Sequence, residues 1–190
     1  MKKMFVFILL AFLTQSFVEN NEDKYLFWKP ETRLRWPDFR GHMKAEDEDA
    51  ASASYIGFMH RISKCAQGDS LVLDTRAFFN KSNSWVKIPA VNPSLLLHEQ
   101  LHFDLAELYS RRFRQAILAV KANERDFIAT ADSLFRYYAA KSDTIHFNYD
   151  IETNHGLNEA SQRKWDRIVR NALLAMDQYQ SPYLKIPILR

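Results

Sequence analysis

The segment from Asn92 to Gln115 constrains the fold more than any other part of the sequence. Asn92 is a good helix N-cap, and Pro93 suits the first turn of a helix. No glycine or proline follows until well past Gln115, so the segment predicts one long helix. The apolar run at 95–97, together with further apolar residues beyond it, indicates that much of this helix is buried.

The predicted helix carries an HExxH motif formed by residues 98–102. At about 100° per residue, His98 and His102 lie roughly 40° apart on one face, one turn from each other. Two imidazoles so placed can bind one metal ion, and Glu99 beside them can act on a water at that ion. We therefore predict that His98 and His102 are zinc ligands. The alternative is a helix whose buried histidines and glutamate make hydrogen bonds within the core.

A catalytic zinc usually takes three protein ligands, and this helix offers no third one. Asp104 and Glu107 lie about 120° and 180° from His98 around the helix axis, so neither points at the ion, and we expect Glu107 at the surface. A ligand from another segment is needed. His155 stands in a polar stretch before Gly156, which would let the backbone approach the site closely. The competing carboxylates are Asp150, Glu152 and Glu159.

The first 16 residues have the pattern of a secretory signal peptide. Two lysines precede an apolar run from Met4 to Leu13, which is short for a membrane span, and small polar residues follow it. We expect cleavage near Phe17 and export of residues 17–190, as one domain, to the periplasm or the medium. After cleavage no membrane association is expected; an uncleaved anchor is the alternative.

Charge and cysteine usage narrow the possible sites. The formal net charge of +3 falls to about +1 once the two lysines of the signal are removed, so nucleic acid is not an expected partner. Arg111, Arg112 and Arg114 would form a solvated basic turn of the motif helix. Cys65 is the only cysteine, which excludes an internal disulfide and a cysteine-rich zinc site. Metal ligands must therefore be histidine and carboxylate.

The order of the remaining patterns predicts an α+β domain. The expected elements are strands at 54–62 and 71–79 and, after the motif helix, helices at about 126–140 and from about 158 onward. Residues 141–156 are polar, and we expect them to be irregular. His146 has apolar neighbours, which indicates packing. The fold class is a small N-terminal antiparallel sheet followed by a helical half with a long active-site helix.

Four segments of the sequence together resemble a known family. In chain order they are LRWPDFRG, SWV, HEQLHFDLAELY and YDIETNHG. This set is similar to a bacterial domain family of unknown function that is described as predicted secreted zinc-dependent proteases, over roughly Leu34 to Met176. The resemblance implies a zincin-like fold, export, His98 and His102 as ligands and Glu99 as base. It also supports His155 as the third ligand.

These features predict an exported zinc-dependent metallohydrolase that cleaves peptide or protein substrates. Glu99 would accept a proton from water and pass it to the leaving amine. Tyr149 is a candidate for stabilising the oxyanion, with packing in the core as its alternative role. An exposed edge of the strand at 71–79 would hold an extended substrate. The alternative is a non-catalytic exported protein with a structural metal, which would not require Glu99.

Overall fold

The computed structural model describes residues 23–43, 50–65 and 70–189. The expected signal peptide at 1–16 and the expected cleavage point near Phe17 lie outside the described residues. Within them the chain forms three helices and an antiparallel sheet whose strands come mainly from its N-terminal half, so the predicted α+β class is confirmed. None of the helices in this described part has the length and apolar character that crossing a membrane requires.

The larger sheet has four antiparallel strands. They are β1 (Tyr25–Phe27), β3 (Ile56–Lys64), β4 (Ser70–Asn80) and β6 (Tyr183–Pro187). Strand β4 is central, with β3 along one side and with β1 and β6 sharing the other. Alternate residues of β4, such as Leu71, Leu73 and Phe79, are buried in the core. The expectation that residues 71–79 offer an edge to substrate is therefore wrong, because strands pair with both sides of β4.

A second, smaller sheet lies beside the motif helix. It pairs β2 (Ser52–Ala53) with β5 (Trp85–Val86) in antiparallel register. The backbone N–H of Lys87 extends this pairing by donating to the carbonyl of Ala51, 2.9 Å away. Strand β2 pairs with no other strand among the described residues.

The three helices are α1 (Pro93–Leu118), α2 (Glu124–Thr153) and α3 (Glu159–Ala175). Helix α1 is the predicted motif helix, and the Asn92 side chain caps it by accepting from the N–H of Leu95 at 2.9 Å. Asn158 caps α3 in the same way, close to residue 158, where the sequence predicted the helix to start.

Helix α2 is longer than the sequence predicted. It continues without a break through the stretch expected to be irregular and ends only at Thr153. Residues 141–153 contain no glycine or proline, and Ile145 and Tyr149, one turn apart, pack into the apolar core behind the motif helix. The helix ends where Asn154 adopts a left-handed conformation with φ 48°.

Helix α1 is enclosed on opposite sides. Phe103, Phe113 and Ile117 pack against the sheet, whereas Leu101 and Leu105 pack against apolar residues of α2 and α3. The N-terminal arm adds a further contact, since Trp28 Nε1 donates to Asp104 Oδ1 at 2.8 Å. Polar side chains on α1 are therefore withdrawn from water and need partners within the protein.

Enclosure of α1 also overturns two expectations about its charged residues. Arg111 and Arg114, expected on a solvated turn, are 2% and 1% exposed, and Glu107, expected at the surface, is 3% exposed. Glu107 Oε1 accepts from Arg111 Nε at 2.9 Å and from an Arg114 terminal nitrogen at 2.7 Å. The basic turn is thus part of a buried ion network.

Candidate metal centre

Two histidines of α1 and one carboxylate of α2 converge on a single point. His98 Nε2 and His102 Nε2 are 3.2 Å apart, and Asp150 Oδ1 lies 3.1 Å from the first and 2.9 Å from the second. His98 is buried, whereas His102 and Asp150 are partly buried. These three side chains form a group that could hold a metal ion.

The size and chemistry of this triangle fit a metal ion. Nitrogen and oxygen ligands that lie about 2.0–2.1 Å from a tetrahedral ion are separated from one another by roughly 3.3 Å. Burial alone would raise the pKa of Asp150, but the adjacent His102 and His98 side chains hold that pKa well below its ordinary value. An ionised carboxylate and two imidazole lone pairs facing one another are a ligand set for a divalent cation.

A hydrogen bond fixes the orientation of the His98 ring. Its Nδ1 lies 3.3 Å from Gln162 Oε1 on α3, and this oxygen also accepts from the Tyr149 hydroxyl at 2.7 Å. Because an amide oxygen is only an acceptor, His98 Nδ1 must carry the proton. The lone pair of His98 is then on Nε2, the atom that faces His102 and Asp150.

The ring of His102 is supported in a similar way by His146. Their Nδ1 atoms are 2.8 Å apart, so one nitrogen donates to the other. If His102 Nε2 keeps its lone pair for the metal, His102 Nδ1 is the donor, and the proton of His146 is on Nε2. His146 Nε2 is buried without a hydrogen-bond partner among the described residues. Burial, reinforced by His102, lowers the pKa of His146 to about 3, which keeps this ring neutral.

Glu99 lies next to the ligand group but is not part of it. Its two carboxylate oxygens accept from the hydroxyls of Ser52 and Ser54, at 2.6 and 2.5 Å. Ser52 lies in β2 and Ser54 directly follows this strand, so the smaller sheet orients the Glu99 carboxylate. Glu99 is only 5% exposed. It lines the same cleft as the ligand group.

The structure does not bring His155 into the ligand group, and Asp150 occupies the place predicted for it. The His155 side chain is 75% exposed, and its Nδ1 lies 3.8 Å from Asp150 Oδ1. The sequence predicted residues 141–156 to be irregular. Helix α2 instead extends to Thr153, which presents Asp150 to the histidines and places His155 just beyond the helix end.

The expected close approach of Gly156 does occur. Gly156 has φ 82° and lies against His98, such that an added Cβ atom would be 2.9 Å from His98 Cβ. Asn154 and His155 also have positive φ values, of 48° and 53°, which is costly for residues with a side chain. The turn after α2 therefore closes tightly over the back of His98.

Tyr149 lies behind the histidines rather than in the cleft. It is fully buried, its ring stacks on that of His98 with 4.6 Å between centroids, and burial raises the pKa of its hydroxyl. The hydroxyl points toward Gln162 and the backbone carbonyl of His98. This is the core role that the sequence left as the alternative to oxyanion stabilisation.

The ligand group opens into a cleft of about 830 Å³. One wall is formed by residues 50–54 of the smaller sheet, and another by side chains of α2, among them Asp143, His146 and Asp150. Glu99 and the three ligand residues thus all line one cleft.

No known family model, curated protein or solved structure matches this chain. The assignment of the site therefore depends on its own geometry.

Sequence reasoning missed the residues that orient the metal-site side chains. Ser52, Ser54 and Gln162 each form a hydrogen bond with His98 or Glu99 from a distant segment. No local motif marks these three positions. Asp150 did carry a signal, since it lies one turn after His146 and next to Tyr149 in a stretch free of glycine and proline.

Proposed function

We propose that this protein is an exported zinc-dependent metallohydrolase that cleaves peptide bonds, on a zincin-like fold. The observation that carries the proposal is the position of Glu99, an oriented carboxylate beside three converging ligand atoms in one open cleft. A structural metal site has no need for such a carboxylate. Catalytic zinc sites commonly have three protein ligands and a fourth position open to solvent.

His98, His102 and Asp150 are the residues that would hold the ion. Zinc bound there would supply Lewis acidity and lower the pKa of a water toward neutrality. Glu99 would accept the proton of that water and return it to the leaving amine. Ser52 and Ser54 hold both oxygens of Glu99 and so keep this carboxylate at a fixed orientation.

A peptide is the substrate that best fits the walls of the cleft. Strand β2 pairs with β5 on one side, and its other side is unpaired among the described residues. An extended peptide could add to this side by backbone hydrogen bonds, as strands do in β-augmentation. Strand β2 thereby replaces β4 as the proposed substrate-binding strand. The small side chains of Ala50, Ala51 and Ala53 leave room for a peptide backbone.

Metal analysis and a catalytic variant test the proposal. The protein, purified without chelator, should contain about one zinc ion per chain by elemental analysis. Two histidines with one carboxylate also suit iron(II), so recovery of iron instead would contradict the zinc assignment. Zinc-loaded protein should cleave members of a broad peptide library, and chelator should abolish cleavage.

Glu99→Gln should retain zinc and the fold but lose hydrolysis, by roughly 10²-fold or more, because an amide cannot accept the proton. Glu159→Gln, on the exposed face of α3, is the matched control and should cleave at the normal rate. A Glu99→Gln variant that cleaves as fast as the control would exclude Glu99 as the base. Stoichiometric zinc without cleavage of any peptide would favour the alternative, a structural metal in a non-catalytic protein.

A further inference from the structure

One face of α2 extends the metal site along the cleft. Asp143, His146 and Asp150 all line it. Seven residues correspond to about two turns, which places Asp143 and Asp150 within roughly 20° of each other around the helix axis. The same seven residues separate them by about 10 Å along the axis. Asp143 therefore lies in the cleft but two turns away from the metal ligands.

Asp143 differs from the other carboxylates of the cleft. Asp150 belongs to the ligand group, and Glu99 accepts hydrogen bonds from two serines. The exposed side chain of Asp143 forms no hydrogen bond or ion pair with the residues that the structure describes. The described lining of the cleft also contains no lysine or arginine. Asp143 is thus a negative charge with no lysine or arginine beside it in the described lining of the cleft.

We propose that Asp143 is a specificity-determining residue, which selects peptides with a lysine or arginine side chain two or three residues from the scissile bond. The proposal depends on the proposed peptidase function. An extended peptide advances about 3.3 Å per residue, so the 10 Å from Asp150 to Asp143 corresponds to about three residues. If a peptide were cleaved at its first bond, its free N-terminal amine would lie too far from Asp143 to pair with it. The position of Asp143 therefore favours cleavage within a chain.

A binding experiment tests this inference separately from catalysis. The probe is a set of fluorescein-labelled peptides in which one lysine is moved along a neutral sequence, with norleucine versions as the uncharged reference. Binding to the Glu99→Gln protein is measured by fluorescence anisotropy. Lysine at the selected position should tighten binding by about fivefold, the effect of a partly exposed ion pair, and high salt should reduce that preference.

Adding Asp143→Asn should remove the preference for lysine, whereas the matched change Asp166→Asn on α3 should leave it intact. A preference that survives Asp143→Asn, or the absence of lysine-dependent binding at every position, would overturn the inference. Selective binding without any cleavage by the unmodified, zinc-loaded protein would uphold the role of Asp143 in binding and reject the peptidase function.

Discussion

Helix α1 carries two buried polar clusters that balance their charges in different ways. The metal-site cluster, near the N-terminal end of the helix, consists of His98, Glu99 and His102. The arginine cluster, further along the helix, consists of Glu107, Arg111 and Arg114. Both clusters are enclosed because α1 packs against the sheet on one side and against two helices on the other.

The arginine cluster is complete in itself. Glu107 accepts from both guanidinium groups, and other donors reach backbone carbonyls, with Arg111 bonded to Leu173 at 2.8 Å and Arg114 to Gln180 at 2.6 Å. Arg114 also donates to the Ser110 hydroxyl, and Arg111 lies 3.8 Å from Asp177 Oδ1. Burial raises the pKa of Glu107 and lowers that of Arg114, and the charge of each partner offsets part of the shift in the other. This cluster needs no external ion.

The metal-site cluster brings together a group that could hold an ion. Asp150 contributes a third acceptor to the two imidazoles, whose outer nitrogens already contact Gln162 and His146. Three ligand atoms therefore face one another with outer hydrogen bonds that fix their direction. Burial of polar residues alone therefore does not indicate function. In the arginine cluster, guanidinium donors face a carboxylate acceptor. In the metal-site cluster, three potential ligand atoms face one another.

The largest expected effect comes from breaking the arginine cluster. Glu107→Ala leaves two buried guanidinium groups without their carboxylate, which should reduce the free energy of unfolding by about 3–5 kcal/mol. Urea denaturation followed by circular dichroism measures this change. Arg112→Ala, which removes a half-buried arginine that stacks on Tyr109, is the control and should cost about 1 kcal/mol or less. Similar losses in both variants would show that the ion network contributes little.

Breaking the metal-site cluster should affect zinc more than folding. Asp150→Ala removes one of three ligands, so its zinc affinity should fall by more than about 100-fold, beyond the usual effect of a residue that only orients a ligand. In chelator, its free energy of unfolding should stay within about 1 kcal/mol of the unmodified protein. Competition with a chromogenic chelator measures the affinity.

His155→Ala is the matched variant, because this residue was the ligand expected from the sequence. Its zinc affinity should change by less than about tenfold, since an exposed ring outside the ligand group contributes at most indirectly. If His155→Ala instead lost zinc and Asp150→Ala kept it, the original assignment would be restored.

These two variants also mark where sequence reasoning succeeds and fails. The motif helix was predictable because its cap, its length and the spacing of His98 and His102 are local properties. Asp150 was not singled out, because it required knowing that residues 141–153 are helical and which face of that helix meets α1. Both depend on packing between distant segments, which a single sequence does not display.

The arginine cluster illustrates the same limit. Arg111 lies four residues after Glu107 and Arg114 seven, a spacing that the sequence shows plainly. That spacing suits an exposed ion pair as well as a buried one. Burial follows from the backbone near Leu173 and Gln180, which supplies acceptors from the far end of the chain. The spacing permits the pairing, and tertiary contacts determine whether it is buried.

Removing an orienting hydrogen bond should have a smaller effect than removing a ligand, because it leaves the ligands in place. Gln162→Leu deprives His98 Nδ1 of its acceptor, so zinc affinity should fall by about tenfold, at the lower end of the range for such residues. Gln162→Glu is the matched control, since it keeps an acceptor oxygen and strengthens the basicity of the ring. Its zinc affinity, measured by the same competition, should equal or exceed that of the unmodified protein. Equal losses in both variants would show that packing of the Gln162 side chain, and not its oxygen, positions His98.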